Sequence, residues 1–269
     1  MLRLARDWGV HRIEMTAGMD PMADPLDCLS SASDFDFLLH NYFPTPTHPF
    51  VLNLASEDPD TLTRSKAHCR EALRISGALG APVFSVHAGF AANVQPEHLG
   101  RQIPLEHRTD RARALTIFED SIGELIPIAR DAGVRLCVEN NVVSSANLVA
   151  GENQMLLLAT AEELNAFIET MNSDWIGLLV DVGHVKVTCE SLQLDADQYM
   201  ANVAPNTTML HLSDNNGRAD SNMAFGNEAW FVPHLARFTC DIAVVEAYNL
   251  TPSTLASCLA AIGASDEPV

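Results

Sequence analysis

Short apolar runs of strand length alternate along this chain with longer stretches whose apolar residues recur at helical spacing. The runs are RIEMT (12 to 16), FDFLLHN (35 to 41), PVFSVHAG (82 to 89), RLCVEN (135 to 140), IGLLVDVGH (176 to 184), MLHLSDN (209 to 215) and IAVVEAY (242 to 248). Between them, residues 60 to 79, 111 to 132 and 160 to 171 carry leucine, alanine and isoleucine at the intervals of one buried helix face. Such alternation predicts repeated βα units around a parallel sheet. Two of the helical stretches end at LGAP and DAGV, where a glycine just before the next strand predicts a helix cap leading into a short turn. A chain of 269 residues suits a single TIM-type α/β barrel, a fold that commonly fills about 250 residues, so residues 1 to 269 are expected to form one domain.

The opening, MLRLARDWGVHRIEM, reads as a helix followed by a strand, because Leu2, Leu4 and Ala5 precede Gly9 as the later helices precede a glycine. That leaves seven recognisable strands where closure of such a barrel needs eight. Either a first strand precedes Met1, or the barrel is open between residues 12 to 16 and 242 to 248. An open seam would expose unpaired backbone and apolar side chains, and self-association is then expected.

Polar residues collect where the runs end. His40 and His87 close the second and third, Glu139 the fourth, Asp181 and His184 the fifth, His211 and Asp214 the sixth, and Glu246 the seventh. In a parallel barrel the C-terminal strand ends form the active-site face, so these residues are expected to converge. A buried carboxylate needs a cation or donors to offset several kcal/mol of lost hydration. Three carboxylates and a histidine at one mouth therefore point to a divalent ion, and oxygen ligands with one imidazole suit Mn²⁺, Mg²⁺, Co²⁺ or Zn²⁺. Gly183 is expected to form a turn that brings His184 back toward the site. Two long loops, residues 90 to 110 and 141 to 159, should lie over the mouth.

Charge and composition narrow the partners. The net charge of −19 disfavours nucleic acid, although Arg101, Arg108, Arg111 and Arg113 make one local basic patch. No run approaches the roughly 20 apolar residues of a membrane span, and Arg6, Asp7 and Arg12 break the start where a signal peptide would be apolar. A soluble cytoplasmic protein is expected. Its six scattered cysteines read as reduced thiols.

The segments VEN, VDVGH, HLSDNNG and VVEAY, with Glu139, Asp181, His211 and Glu246 in them, resemble the xylose isomerase-like TIM barrels. That superfamily includes ketose 3-epimerases and endonuclease IV. The resemblance to the epimerases implies one Mn²⁺-like ion on those four residues, and Glu139 and Glu246 as the groups that exchange a sugar proton through an enediolate. It implies His184 as a residue that orients a carbohydrate substrate. The epimerases carry a substrate-binding arginine about six residues beyond the metal histidine, and Arg218, seven beyond His211, is the nearest match. His40 and His87 are candidates for substrate contact or, as in endonuclease IV, for a second metal. The endonuclease-like reading, a metal-dependent phosphodiesterase, lacks part of its third ion site, because DSN (220 to 222) stands where an Asp-x-His pair is needed. A barrel that binds sugar without turnover is the remaining alternative.

Overall fold

The computed structural model describes residues 2 to 98 and 101 to 264. Seven parallel strands stand in sequence order: β1 (Arg12–Met15), β2 (Asp36–His40), β3 (Val83–His87), β4 (Arg135–Glu139), β5 (Ile176–Asp181), β6 (Thr207–Leu212) and β7 (Ile242–Val245). The helices are α1 (Leu2–Asp7), α2 (Pro25–Ser30), α3 (Pro59–Leu79), α4 (Arg111–Ala132), α5 (Ala161–Met171), α6 (Val182–Leu192), α7 (Ala196–Val203) and α8 (Pro252–Ala261). The result is a nearly closed α/β barrel, and each expected strand is present within a few residues of its expected limits. Among the described residues no helix is long and apolar enough to cross a membrane.

Strand periodicity sorts the side chains into two layers, since alternate residues face opposite sides of a sheet. One set, Leu38, Val83, Cys137, Leu179, Met209, Ile242 and Val244, packs together inside the barrel. The other, including Phe84, Val86, Leu136, Val138, Leu178, Val180 and Leu210, joins the larger core beneath the helices. Helices α3 and α4 supply Leu73, Ile75, Phe118, Ile122 and Leu125 to that core. Both helices end on the expected glycines, Gly80 and Gly133, each in the left-handed region at φ 70°. A side chain there would be strained, so glycine is what lets each helix stop and turn into the next strand.

One glycine is required by contact instead. A Cβ on Gly89, just after β3, would lie 2.5 Å from Ala55 Cβ and 2.9 Å from Asn53 Oδ1. Asn53 is itself committed, accepting from the Ala55 and Phe90 amides and donating to the Phe90 carbonyl. Gly89→Ala is therefore expected to cost about 1–3 kcal/mol, the range for forcing extra atoms into a packed site. The urea midpoint measures this, and an unchanged midpoint would show that the 51 to 56 segment yields freely.

The sheet order runs from β1 to β7, and no pairing between β1 and β7 is present among the described residues. Strand β7 is half-buried along its length with Ala243 exposed, whereas every residue of β5 is buried. Tyr248, three residues past β7, is 63% exposed, and Leu4 on α1 is 52% exposed. Two unpaired edges flanked by apolar surface favour pairing with another chain. Concentration-dependent self-association is the expected behaviour in sedimentation velocity; a monomer at all concentrations would show that the side chains at the seam suffice to cover it.

Candidate metal centre

The inward-facing parity that builds the barrel interior also builds the site. Two residues beyond inward Leu38, Cys137, Leu179, Met209 and Val244 come His40, Glu139, Asp181, His211 and Glu246, and His87 lies two beyond Ser85 on β3. All six reach the C-terminal mouth. Glu139, Asp181, His211 and Glu246 place one ligand atom each within 4.8 Å of one another, close to the spread of donors around an ion held at about 2.0–2.2 Å. Glu139, Asp181 and His211 are buried at 1%, 0% and 0% exposure.

The two amides after Glu139 fasten this mouth. Asn140 Oδ1 accepts from the Asp181 amide at 2.8 Å, and its Nδ2 donates to the Asp181 carbonyl at 3.2 Å, tying the end of β4 to the end of β5. Asn141 donates to the carbonyls of Ala88, Gly89 and Leu157, which anchors the second long loop. That loop is also joined to the first by an antiparallel bridge between Phe90 and Leu156, and by Arg108 donating to Gln154. Arg111, from the basic patch, pairs with Glu163 on α5 at 2.5 Å. Residues 99 and 100 of the first loop lie outside the described residues.

Asp181 does two jobs. Its Oδ1 accepts from the His184 amide at 2.7 Å and so caps α6, while Oδ2 is buried with no protein partner. The residues VGH thus form the first turn of a helix, not the loose turn expected from Gly183. Glycine is needed there because a Cβ would meet Ser213 Oγ at 2.7 Å and Asn215 Nδ2 at 3.2 Å, a close approach between α6 and the chain after β6. His184 rises from that turn with Nδ1 2.8 Å from the Asn140 carbonyl and 3.3 Å from Glu139 Oε1, and Nε2 3.3 Å from Asp220. His40 and His87 each bring Nε2 to 3.4 Å from Glu139 Oε2. They form a second donor group with that carboxylate.

The protein's own charges at the mouth are buried acids balanced by imidazoles. Burial opposes the charged form of His211, but Glu14 and Glu246, at 2.8 and 2.7 Å from its two nitrogens, raise its proton affinity well above the ordinary value. Burial likewise opposes a charge on His184, yet Asp181, Asp220 and Glu139 raise it well above 6.5. His40 is pushed down to about 4 by burial, partly countered by Glu14. Burial lifts Glu139 well above the carboxylate range and Asp181 to about 6, whereas His211 holds Glu246 below its usual value against the effect of burial.

The fit of a cation rests on atoms the protein leaves unused. Glu139 Oε2, Asp181 Oδ2 and both nitrogens of His211 are buried without an aligned hydrogen-bond partner. Buried polar groups are rarely left this way, and Glu139, Asp181 and His211 each offering one ligand atom to a common point is the pattern of an ion site. The residues present suit a hard or borderline divalent ion with three carboxylates and one imidazole.

The model of the xylose isomerase-like TIM barrel family matches residues 2 to 246. The chain belongs to this family. No curated protein matches the chain. Among solved structures, a D-tagatose 3-epimerase-like protein superposes with a TM-score of 0.68 at 17% identity, covering 94% of this chain and 88% of that one. The D-psicose 3-epimerase of Clostridium cellulolyticum, solved with D-tagatose, gives 0.63 at 14% identity, covering 96% and 82%. A Thermus thermophilus protein soaked with zinc chloride gives 0.66 at 20% identity, covering 98% and 93%. At these identities the likeness carries the fold.

Within this xylose isomerase-like barrel, the four expected ligands and His40, His87 and His184 are brought together. Arg218 is not: it is exposed, and its amide donates to Asn216 Oδ1 on its own loop. Asp214 leaves the mouth as well, pairing with Lys186 at 2.6 Å. Two acids at the site go beyond the expected set. Glu14 on β1 touches His211, and Asp220 touches His184. Glu14 does carry a signal, because Ile13 and Met15 flank it in an apolar strand whose alternate positions face the core. Asp220 sits on a loop, where no periodicity announces direction.

Proposed function

We propose that this protein is a divalent-metal-dependent isomerase or epimerase of a sugar or sugar phosphate, working by proton transfer through an enediolate. The observation that carries the reading is the set Glu139, Asp181, His211 and half-buried Glu246, the first three with buried unpartnered atoms, brought together at the mouth of a xylose isomerase-like barrel. One divalent ion (Mn²⁺, Mg²⁺, Co²⁺ or Zn²⁺) held there would polarise a substrate carbonyl and its neighbouring hydroxyl. The chain's own contribution is a pair of carboxylates at the mouth, Glu139 at the end of β4 and Glu246 just beyond β7, of which one would take a proton from a substrate carbon and the other return it. His184, fixed by Asn140 and Asp220, would orient a sugar hydroxyl; His87, with a 31% exposed side chain, is accessible to substrate from the mouth. Arg218, exposed on the loop after β6, would meet an anionic substituent only on a substrate that extends out of the mouth toward that loop. The reading takes residues 1 to 269 as one domain.

A second reading is favoured by one observation, the 3.4 Å approach of His40 and His87 to the same oxygen of Glu139. A second ion there would share Glu139 with the first and suit phosphodiester hydrolysis by paired metals. The net charge of −19 opposes a nucleic acid substrate. A turnover screen of Mn²⁺-loaded protein against ketoses, ketose phosphates and abasic-site DNA separates the readings. Epimerised or isomerised ketose is the expected product; DNA cleavage without sugar turnover would replace this reading with the hydrolase, and sugar binding without turnover would leave a binding barrel.

A further inference from the structure

The open seam of the barrel and the candidate ion site meet at one side chain. His211, on β6, lies 2.8 Å through Nε2 from Glu14 Oε2 on β1, and 2.7 Å through Nδ1 from Glu246 Oε2 just beyond β7. The imidazole therefore links the first and last strands, which share no backbone pairing. Glu246 belongs to the four-residue donor set and Glu14 does not, so Nδ1, the nitrogen against Glu246, is taken as the one on the ion side.

We propose that Glu14 is a positioning residue for the ion site: by receiving the Nε2 proton of His211 it commits Nδ1 to the ion. The proposal rests on the metal-site reading above. A neutral imidazole can carry its proton on either nitrogen, and only the unprotonated one can bind a cation. Both His211 nitrogens are buried, so water is not at hand to accept the proton from whichever one carries it. Glu14 has a 6% exposed side chain and keeps Oε1 without any other partner. It is an acceptor with no competing hydrogen bond. The Oε2 contact is short at 2.8 Å but off the N–H line, so the proposal requires the ring or the carboxylate to turn into alignment when the ion binds.

Glu14, His40 and His211 also form a donor group of their own, which offers the opposite arrangement, an ion on Nε2. His40 argues against it. Its Nδ1 is 2.9 Å from Ser85 Oγ and its Nε2 faces Glu139, so both nitrogens are already directed elsewhere.

The test uses zinc-loaded, ¹⁵N-histidine-labelled protein and long-range ¹H–¹⁵N correlation spectra. His211 is expected to show a protonated Nε2 and an ion-bound Nδ1; an ion-bound Nε2 overturns the proposal without any variant being made. Glu14→Met, which keeps bulk and removes the acceptor, is expected to weaken Zn²⁺ binding about 10- to 100-fold, the usual cost of losing the partner of a metal-bound histidine. Glu14→Gln keeps an acceptor oxygen and should recover part of that loss, and it serves the test if the methionine variant does not fold. Melting both variants in chelator reads the purely structural effect. Unchanged zinc affinity with a lowered melting midpoint would make Glu14 a seam contact only and overturn the proposal. If wild-type protein binds no zinc or manganese, the metal-site reading itself fails, whereas zinc binding that is indifferent to Glu14 fails this inference alone.

Discussion

Restoring Mn²⁺ to chelator-treated protein is expected to raise its melting midpoint by about 5–10 °C at roughly 100 times the dissociation constant. That excess contributes about 2.7 kcal/mol, and each kcal/mol moves a domain of this size by about 2–4 °C. The physical source is the set of buried acids at the mouth, which in the ion-free chain are balanced by His184 and His211 alone. The shift should also depend on pH with a definite sign. Burial raises Asp181 from 3.8 to about 6. Between those values the folded ion-free chain keeps a proton that the unfolded chain has released, so its stability falls as pH rises from about 4 to 6. His184 and His211 act in the same direction above 6.5: their raised folded-state affinities stabilise the chain at low pH, and that stabilisation is lost as pH rises through them. The ion competes with these protons and binds more tightly as they leave. The Mn²⁺-induced shift should therefore be larger at pH 7 than at pH 5. Elemental analysis with paired melts decides it; no bound metal and no shift at either pH would remove the ion site.

Glu246→Gln should lower turnover by about 10²- to 10⁴-fold, the range for loss of a positioned general acid or base. The substitution keeps the shape of the side chain, so the barrel should remain folded. It removes the charge beside His211 Nδ1 and one ion ligand, so ion affinity should fall while binding persists through Glu139, Asp181 and His211. Turnover measured at saturating Mn²⁺, with ion content checked directly, separates the two losses. Activity within about tenfold of wild type under those conditions would remove Glu246 from proton transfer. Solvent deuterium should enter the product at the reacting carbon. A product free of solvent isotope would favour hydride transfer between carbons over the enediolate route.

Much of this site is legible in the sequence, for a local reason. A strand alternates faces every residue, so an acid two positions after an inward apolar side chain must face inward too, and Cys137 to Glu139, Leu179 to Asp181 and Met209 to His211 all follow this rule. Strand parity reaches Glu14 on β1 by another route, since its neighbours Ile13 and Met15 pack outward into the core beneath the helices. There the acid stands in the middle of a short strand instead of at its end, so a search of strand ends passes it by. His184 is legible as a site residue, but its route is not: the chain after Asp181 becomes a helix at once, capped by the Asp181 carboxylate, and Gly183 serves closeness to Ser213 and Asn215. Arg218 shows the limit of counting along a loop. Its sequence distance from His211 suits a substrate contact, yet the loop turns the residue out to solvent.

Local chemistry along the chain is enough to set the class of fold, the seven strands, the glycine stops of α3 and α4 and the inward direction of the acids and histidines at the mouth, because each depends on periodicity or backbone conformation within a few neighbouring residues. Which groups meet is settled only in three dimensions: Glu14 with His211 across the seam, Asp220 with His184, and Glu139 with three imidazoles at once. Those pairings join strands and loops far apart in the chain, and they follow from the curvature and registration of the whole barrel. Parity within one strand tells which way a side chain points, and only the arrangement of all seven tells what it points at.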